Sequence, residues 1–231
     1  MLTLELIDWI SYCRYLEDYV AFMTTPDTHN DTYAATAHRM FFANWVKKGR
    51  PTEGPKLREL ADNDGHNTDS VDGLINVLPL SAESALAADA SPDSPWEDPA
   101  RRSRVSDVIN ALRESTELPK FGYVYDELLQ RLFRGEDLRE TVLSVAKKVD
   151  AGLPDQIKQM SERSGQDPMS ACYVRSNFPV TLLMAYKYAD SPERAVLASA
   201  NAGGENVNRN ALLGAIMGAG HGAQVLLDGS R

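Results

Sequence analysis

From Val105 onward apolar residues recur at three- and four-residue steps, one amphipathic stretch after another, and no segment of the chain alternates β-branched with polar residues. A period near 3.6 lines up apolar side chains on one face of a helix, whereas a half-buried strand needs a period of two. The pattern therefore dictates an all-α fold. The punctuation agrees. Asp137 and Glu140 form a capping-box pair ahead of Val142, Val145 and Val149, with Lys147 and Lys148 at the negative helix end. Ser191-Pro192 is a second start signal, an N-cap followed by proline in the first turn. A chain of 231 residues can bury a sizeable core without cross-links, so one compact helical domain over 1–231 is expected.

Upstream of Val105 the spacing predicts a helix from Leu2 to about Met23, with Leu6, Ile10, Cys13, Glu17 and Val20 near one stripe. A second helix is predicted over Asp31 to Lys47, ended by Gly49 and Pro51, and a third over Asp69 to Ala88, bent at Pro79. Residues 89–104, with Pro92, Pro95 and Pro99 among Asp and Ser, predict a surface loop. Near the C-terminus Gly214, Gly218 and Gly222 stand four apart, which predicts a face stripped for close helix packing. A start inside a periodic helix predicts that relatives carry an additional N-terminal portion.

Hydrophobic residues make up 43% and charged residues 25%, which is globular rather than disordered composition. The formal net charge of -9 argues against nucleic acid and anionic membranes as partners, since a docked polyanion meets net repulsion. No apolar run approaches membrane-spanning length and no basic-then-apolar leader is present, so a cytoplasmic location is expected. Cys13 and Cys172 lack metal-ligand spacing and are expected to be buried reduced thiols.

Three polar stretches can carry chemistry. In Ala202-Gly203-Gly204-Glu205-Asn206-Val207-Asn208-Arg209-Asn210, paired glycines allow a tight turn and a close backbone approach to a ligand, and polar residues follow at a helix start. Glu205 and Asn208 stand three apart and can face one point, offering the oxygen ligands that Mg²⁺ takes. The same residues also suit a plain loop with an acid complementing the helix dipole. The stretch from Asn63 to Gly73 is rich in groups for hydroxyls, phosphates or metals, Asp69 and Asp72 among them, and equally suits Asx turns and an N-cap at Thr68 or Asp69. In Thr28 to Tyr33, Asp31 suits a helix cap; His29 and His66 are acid-base or ligand candidates. No P-loop, strand-borne GxGxxG or HExxH is present.

Taken in order, His29 to Tyr33, His66 to Leu74, Ala171-Cys172-Tyr173, Asn177-Phe178-Pro179, Ala185 to Asp190 and Gly203 to Arg209, closed by the glycine-rich last helix, resemble the ADP-ribosylglycohydrolase family. The likeness is to a branch with Gly-Gly-Glu-Asn in place of Gly-Gly-Asp-Thr-Asp-Thr. The resemblance implies a helical fold with a central cleft for two Mg²⁺ ions. It implies hydrolysis of the bond between ADP-ribose and a protein side chain or small molecule, the metals anchoring the ribose diol and positioning water. By position, Glu205 takes the place of the first metal-binding aspartate, as metal ligand and catalytic residue, and Asn208 that of the final threonine, as metal ligand. His66, Asn67, Ser70, Asp72 and Gly73, with Gly203 and Gly204, take the places of ribose and phosphate contacts. The chain departs from the pattern at Val207, where a second aspartate belongs, at Glu117, where relatives show histidine after threonine, and in lacking an N-terminal Thr-Asp-Asp motif. Those departures keep two alternatives open: a non-catalytic binding or structural module of crystallin type, and a fragment that needs a separate N-terminal piece.

Overall fold

The computed structural model describes residues 9–28, 33–65, 67–87 and 95–222. Regular structure among them is helical, and the extended pairings are two isolated β-bridges. The fold is all-α, as the periodicity predicted. By its internal contacts the chain divides into two compact units, Met1–Thr68 with Ser106–Thr116, and Asp69–Val105 with Glu117–Arg231.

In the first unit, helix α1 (Trp9–Thr24) buries Tyr12, Cys13, Leu16 and Val20. The predicted stripe was displaced: Leu6 lies outside the described residues, and Glu17 is exposed rather than on the buried face. A carboxylate gains nothing in an apolar seam; that of Glu17 instead accepts the backbone N–H of Gly54 at 2.7 Å. Gly54 opens helix α3 (Gly54–Arg58) so close to α1 that a Cβ there would strike the backbone and Cβ of Cys13. Helix α2 (Thr36–Lys47) adds Phe41, and the rings of Phe41, Phe42 and Trp45 pack edge to face. Its predicted start, Asp31, lies outside the described residues.

In the second unit a 3-10 turn (Val71–Leu74) precedes helix α4 (Val77–Ala87). The interruption predicted at Pro79 falls earlier, at Ile75 and Asn76. Pro79 sits in the first turn of α4, where its missing N–H would have had no helical partner. Within the predicted loop 89–104, the described residues, from Pro95 on, largely take regular structure. Pro95–Glu97 is a 3-10 turn, and helix α5 (Pro99–Ile109) starts at a proline. Polar composition misled here, because Arg101 is buried against Asp126 with bonds of 2.5 and 3.0 Å, and Ser81 and Gln130 donate to the same carboxylate.

Helix α6 (Leu118–Phe133) packs on α4, on α7 (Leu138–Val149) and on α11 (Asn206–His221). Helix α9 (Val174–Lys187) packs on α7, α8 (Leu153–Ser161), α10 (Pro192–Ala202) and α11. Tyr125, Leu128, Val142, Phe178, Leu182, Leu212 and Ile216 fill the core between them. Both start signals hold: Asp137 accepts the Glu140 amide at 2.9 Å and Ser191 that of Arg194 at 3.3 Å. At two members of the glycine row, Gly214 and Gly222, a Cβ would meet nothing within 4 Å, so neither marks a close approach among the described residues. Gly222 instead ends α11 at φ +75°, and a close approach occurs at Gly220, off that row, against Leu138. No helix among the described residues is long and apolar enough to cross a membrane.

Candidate functional site

The Gly-Gly turn between α10 and α11 is built by backbone conformations that only glycine adopts cheaply. Gly203 lies at φ +77°, ψ −160°, and Gly204 at φ +70°. At Gly204 a Cβ would collide with the carbonyl oxygen of Ser170 and the side chain of Met169. That carbonyl accepts the N–H of Glu205 at 3.0 Å, and Ser170 and Gly204 pair as a parallel bridge. The turn is thus laid along the segment Ser170 to Tyr173.

The other edge of this segment holds the polar loop ahead of α4. Ser70 and Tyr173 form an antiparallel bridge, Val71 donates to the carbonyl of Cys172 at 2.8 Å, and Val174 donates to that of Asp69 at 2.9 Å. The Ser70 hydroxyl donates to the Asp72 carboxylate. Two stretches of sequence more than 130 residues apart, around Asp72 and Glu205, are therefore joined through one short extended segment. Both carboxylates act on the half-buried thiol of Cys172. Burial raises the pKa of that thiol most, and the charges of Glu205 and Asp72 raise it further.

Glu205 caps α11: its Oε1 accepts from the backbone N–H of Asn208 at 3.4 Å and from Asn208 Nδ2 at 3.0 Å. Glu205 and Asn208 do face one point, and they do so by bonding each other. Val207 is 74% exposed, which leaves the position of the missing aspartate pointing to solvent. Ser70 and Gly73 are buried and Asp72 is half-buried. Asn67 belongs to the first unit, at φ +68°, a conformation asparagine tolerates. His66 and the stretch His29 to Thr32 lie outside the described residues. Glu117 is held by Arg175 at 2.8 Å and Lys120 at 3.0 Å; the Lys120 hydrogen bond leads in drawing its carboxyl below the usual range.

Two side chains that motif reasoning passed over hold the site together. Asn177, fully buried, donates through Nδ2 to the carbonyls of Ala171 at 3.1 Å and Glu205 at 3.3 Å, so one amide clamps both sides. Arg209, also fully buried, donates to Ser199 Oγ at 2.8 Å, Ser199 O at 2.6 Å, Gly203 O at 2.9 Å and Ser170 Oγ at 2.9 Å. The sequence carried a signal for both. Arg209, Leu212, Leu213, Ile216 and Met217 form the buried stripe of α11, and Asn177, Phe178, Thr181 and Leu182 that of α9. A polar residue on an apolar stripe must find buried partners.

Two Mg²⁺ ions require several anionic oxygens. Among the described residues no three His, Cys, Asp or Glu side chains form a group able to hold a metal. Among the described residues, the carboxylate at the turn is that of Glu205, whose Oε1 is engaged by Asn208, and the buried cation there is the guanidinium of Arg209, bonded to Gly203 O and Ser170 Oγ. The donor set around the turn does not fit a two-ion site.

A separate cavity of about 250 Å³ lies in the first unit, between Tyr12, Arg58, Asp107, Asn110 and Arg113 among others. Arg58 stands over the Tyr12 ring and pairs with Asp107 at 3.2 Å. None of the motif residues lines it.

Comparison with curated proteins and with solved structures returned no match. A family model does match, over residues 11–229, and its description is ADP-ribosylglycohydrolase. A match over nearly the whole length, on a helical chain that brings Asp72 and Glu205 to one extended segment, establishes that the chain belongs to the ADP-ribosylglycohydrolase family.

Proposed function

We propose that this protein hydrolyses the glycosidic bond joining ADP-ribose, or a related ribosyl group, to a protein side chain or a small molecule. Family membership supports the reaction class. The observation that carries it to particular residues is the convergence of Ser70 and Asp72 with Glu205 on the two edges of Ser170 to Tyr173. Carboxylate and hydroxyl groups so placed suit the hydroxyls of a ribose. Gly203, whose Cβ position is open, lets a ligand reach the backbone. In the proposed reaction the bond from the anomeric carbon to nitrogen or oxygen breaks. Water supplies the new oxygen on that carbon, and the leaving group ends with the proton. Glu205, whose Oε1 is fixed by Asn208, orients the water through its other oxygen. Asp72 and Ser70, with the backbone of Gly73, hold the sugar. No step is routed through a metal, because the donors at the turn do not fit a pair of ions.

Calorimetry with ADP-ribose and chromatographic release of ADP-ribose from a modified protein test this. The expected result is binding by the intact chain, weakened by Asp72→Asn, and release abolished by Glu205→Gln. Absence of both binding and release defeats the proposal. Binding without release favours the non-catalytic module, for which Val207 and the capping role of Glu205 already speak.

A further inference from the structure

We propose that Arg175 and Lys120, gathered on Glu117, receive the pyrophosphate of an ADP-ribose whose sugar lies at Ser70, Asp72 and Glu205. The inference rests on the reading of those residues as the sugar site. The phosphates need cations, because the acids assigned to the sugar repel them and the whole chain carries a net charge of -9. Arg209 cannot serve: it is fully buried and committed to the oxygens of Ser199, Ser170 and Gly203. Arg175 can. It lies in the first turn of α9, two residues beyond Tyr173, which bridges Ser70. Residues opposite each other in such a bridge have Cα atoms about 5 Å apart, and two further residues add at most about 7 Å. The Cα of Arg175 is thus within about 12 Å of that of Ser70. An arginine side chain and the arm from sugar to phosphate cover that span between them.

Glu117, at the start of α6, brings in the second cation. Its Oε1 meets Arg175 at 2.8 Å and its Oε2 meets Lys120 at 3.0 Å. Helices α6 and α9 both pack on the 3-10 turn Val71–Leu74, which carries Asp72. One carboxylate between two cations leaves a net charge of +1 for an anion. The side chains of Arg175 and Lys120 are 75% and 64% exposed, so both heads stay open to a ligand. Ion pairs this exposed are weak. A pyrophosphate carries more charge and more acceptor oxygens than one carboxylate, so it draws both heads away from Glu117. The arginine fork suits two phosphate oxygens at once and the lysine acts as a point charge. Glu117 therefore holds the two cations in the free protein and competes with the ligand for them.

Calorimetry of ADP-ribose binding to the full chain, at low and at high NaCl, tests this. Arg175→Gln combined with Lys120→Gln is expected to weaken binding about tenfold or more, since charge-assisted hydrogen bonds are lost. The same pair of changes should flatten the salt dependence, because less of the remaining attraction is between charges. Glu117→Gln is expected to tighten binding, by removing the competing charge while the cations remain. A merely structural role for the ion pairs would not produce that change of sign. Binding that Asp72→Asn weakens but the Arg175→Gln, Lys120→Gln chain retains in full overturns the inference and spares the sugar site. Weaker binding by Glu117→Gln than by the natural chain also overturns it, since the acid would then be the contact. No binding by the natural chain overturns both the inference and the reading beneath it.

Discussion

Replacing Gly204 and Gly203 by alanine, one at a time, separates backbone strain from close approach at the turn. Both residues lie at positive φ, +70° and +77°. Alanine in such a conformation costs on the order of 1–3 kcal/mol at either site. A Cβ at Gly203 meets nothing within 4 Å, so strain is the whole cost there. At Gly204 the Cβ would collide with the Ser170 carbonyl, a backbone atom that cannot rotate aside. Overpacking of this kind adds about 1–3 kcal/mol. Displacing that carbonyl also weakens the Glu205 N–H bond of 3.0 Å, and a net hydrogen bond is worth roughly 1 kcal/mol. Gly204→Ala should therefore exceed Gly203→Ala by about 2–4 kcal/mol. Urea unfolding followed by far-ultraviolet circular dichroism measures both, and unchanged m-values ensure that the comparison is of stability. Equal losses for the two variants would refute the close approach, and with it the tie between the Gly-Gly turn and Ser170.

Asp126→Asn breaks the buried pair with Arg101 and should cost about 3–5 kcal/mol in urea unfolding, while Arg101→Met with Asp126→Leu should recover most of it; a single-variant loss of about 1 kcal/mol or less would contradict the pairing. Asn177→Ala orphans the carbonyls of Ala171 and Glu205 and should cost about 1–3 kcal/mol. Asn177→Asp substitutes an acceptor facing two acceptors. It should destabilise at neutral pH and recover in part as pH falls and the carboxyl gains a proton, its folded pKa being raised, so a pH-independent loss would speak against the clamp. At pH 8, Cys172 should be alkylated more slowly than a small free thiol, since burial and then the Glu205 and Asp72 charges raise its pKa and cut the thiolate fraction. Glu205→Gln should speed it, with mass spectrometry separating Cys172 from Cys13; no acceleration would mean that the two groups do not approach.

The helices were legible in the sequence because amphipathic spacing and capping act within a few residues. Asp137 and Ser191 each satisfy an amide three positions on, an interaction no distant segment needs to permit. The Gly-Gly-Glu-Asn run was legible as a turn for the same reason, and the family resemblance rested on such local runs. Local signals erred where burial overrode composition. Arg101 turned a polar loop into a packed helix, and Glu17 left the stripe assigned to it to hold Gly54. Only the folded chain decided that Asp69 to Asp72 and Gly204 to Glu205 line opposite edges of Ser170 to Tyr173, because backbone bonds between remote segments leave no mark on the residues that make them. It likewise decided what holds the turn. Arg209 reads locally as one more polar residue at a helix start, and only its burial beneath Gly203 and Ser170 makes it the donor that fixes the turn.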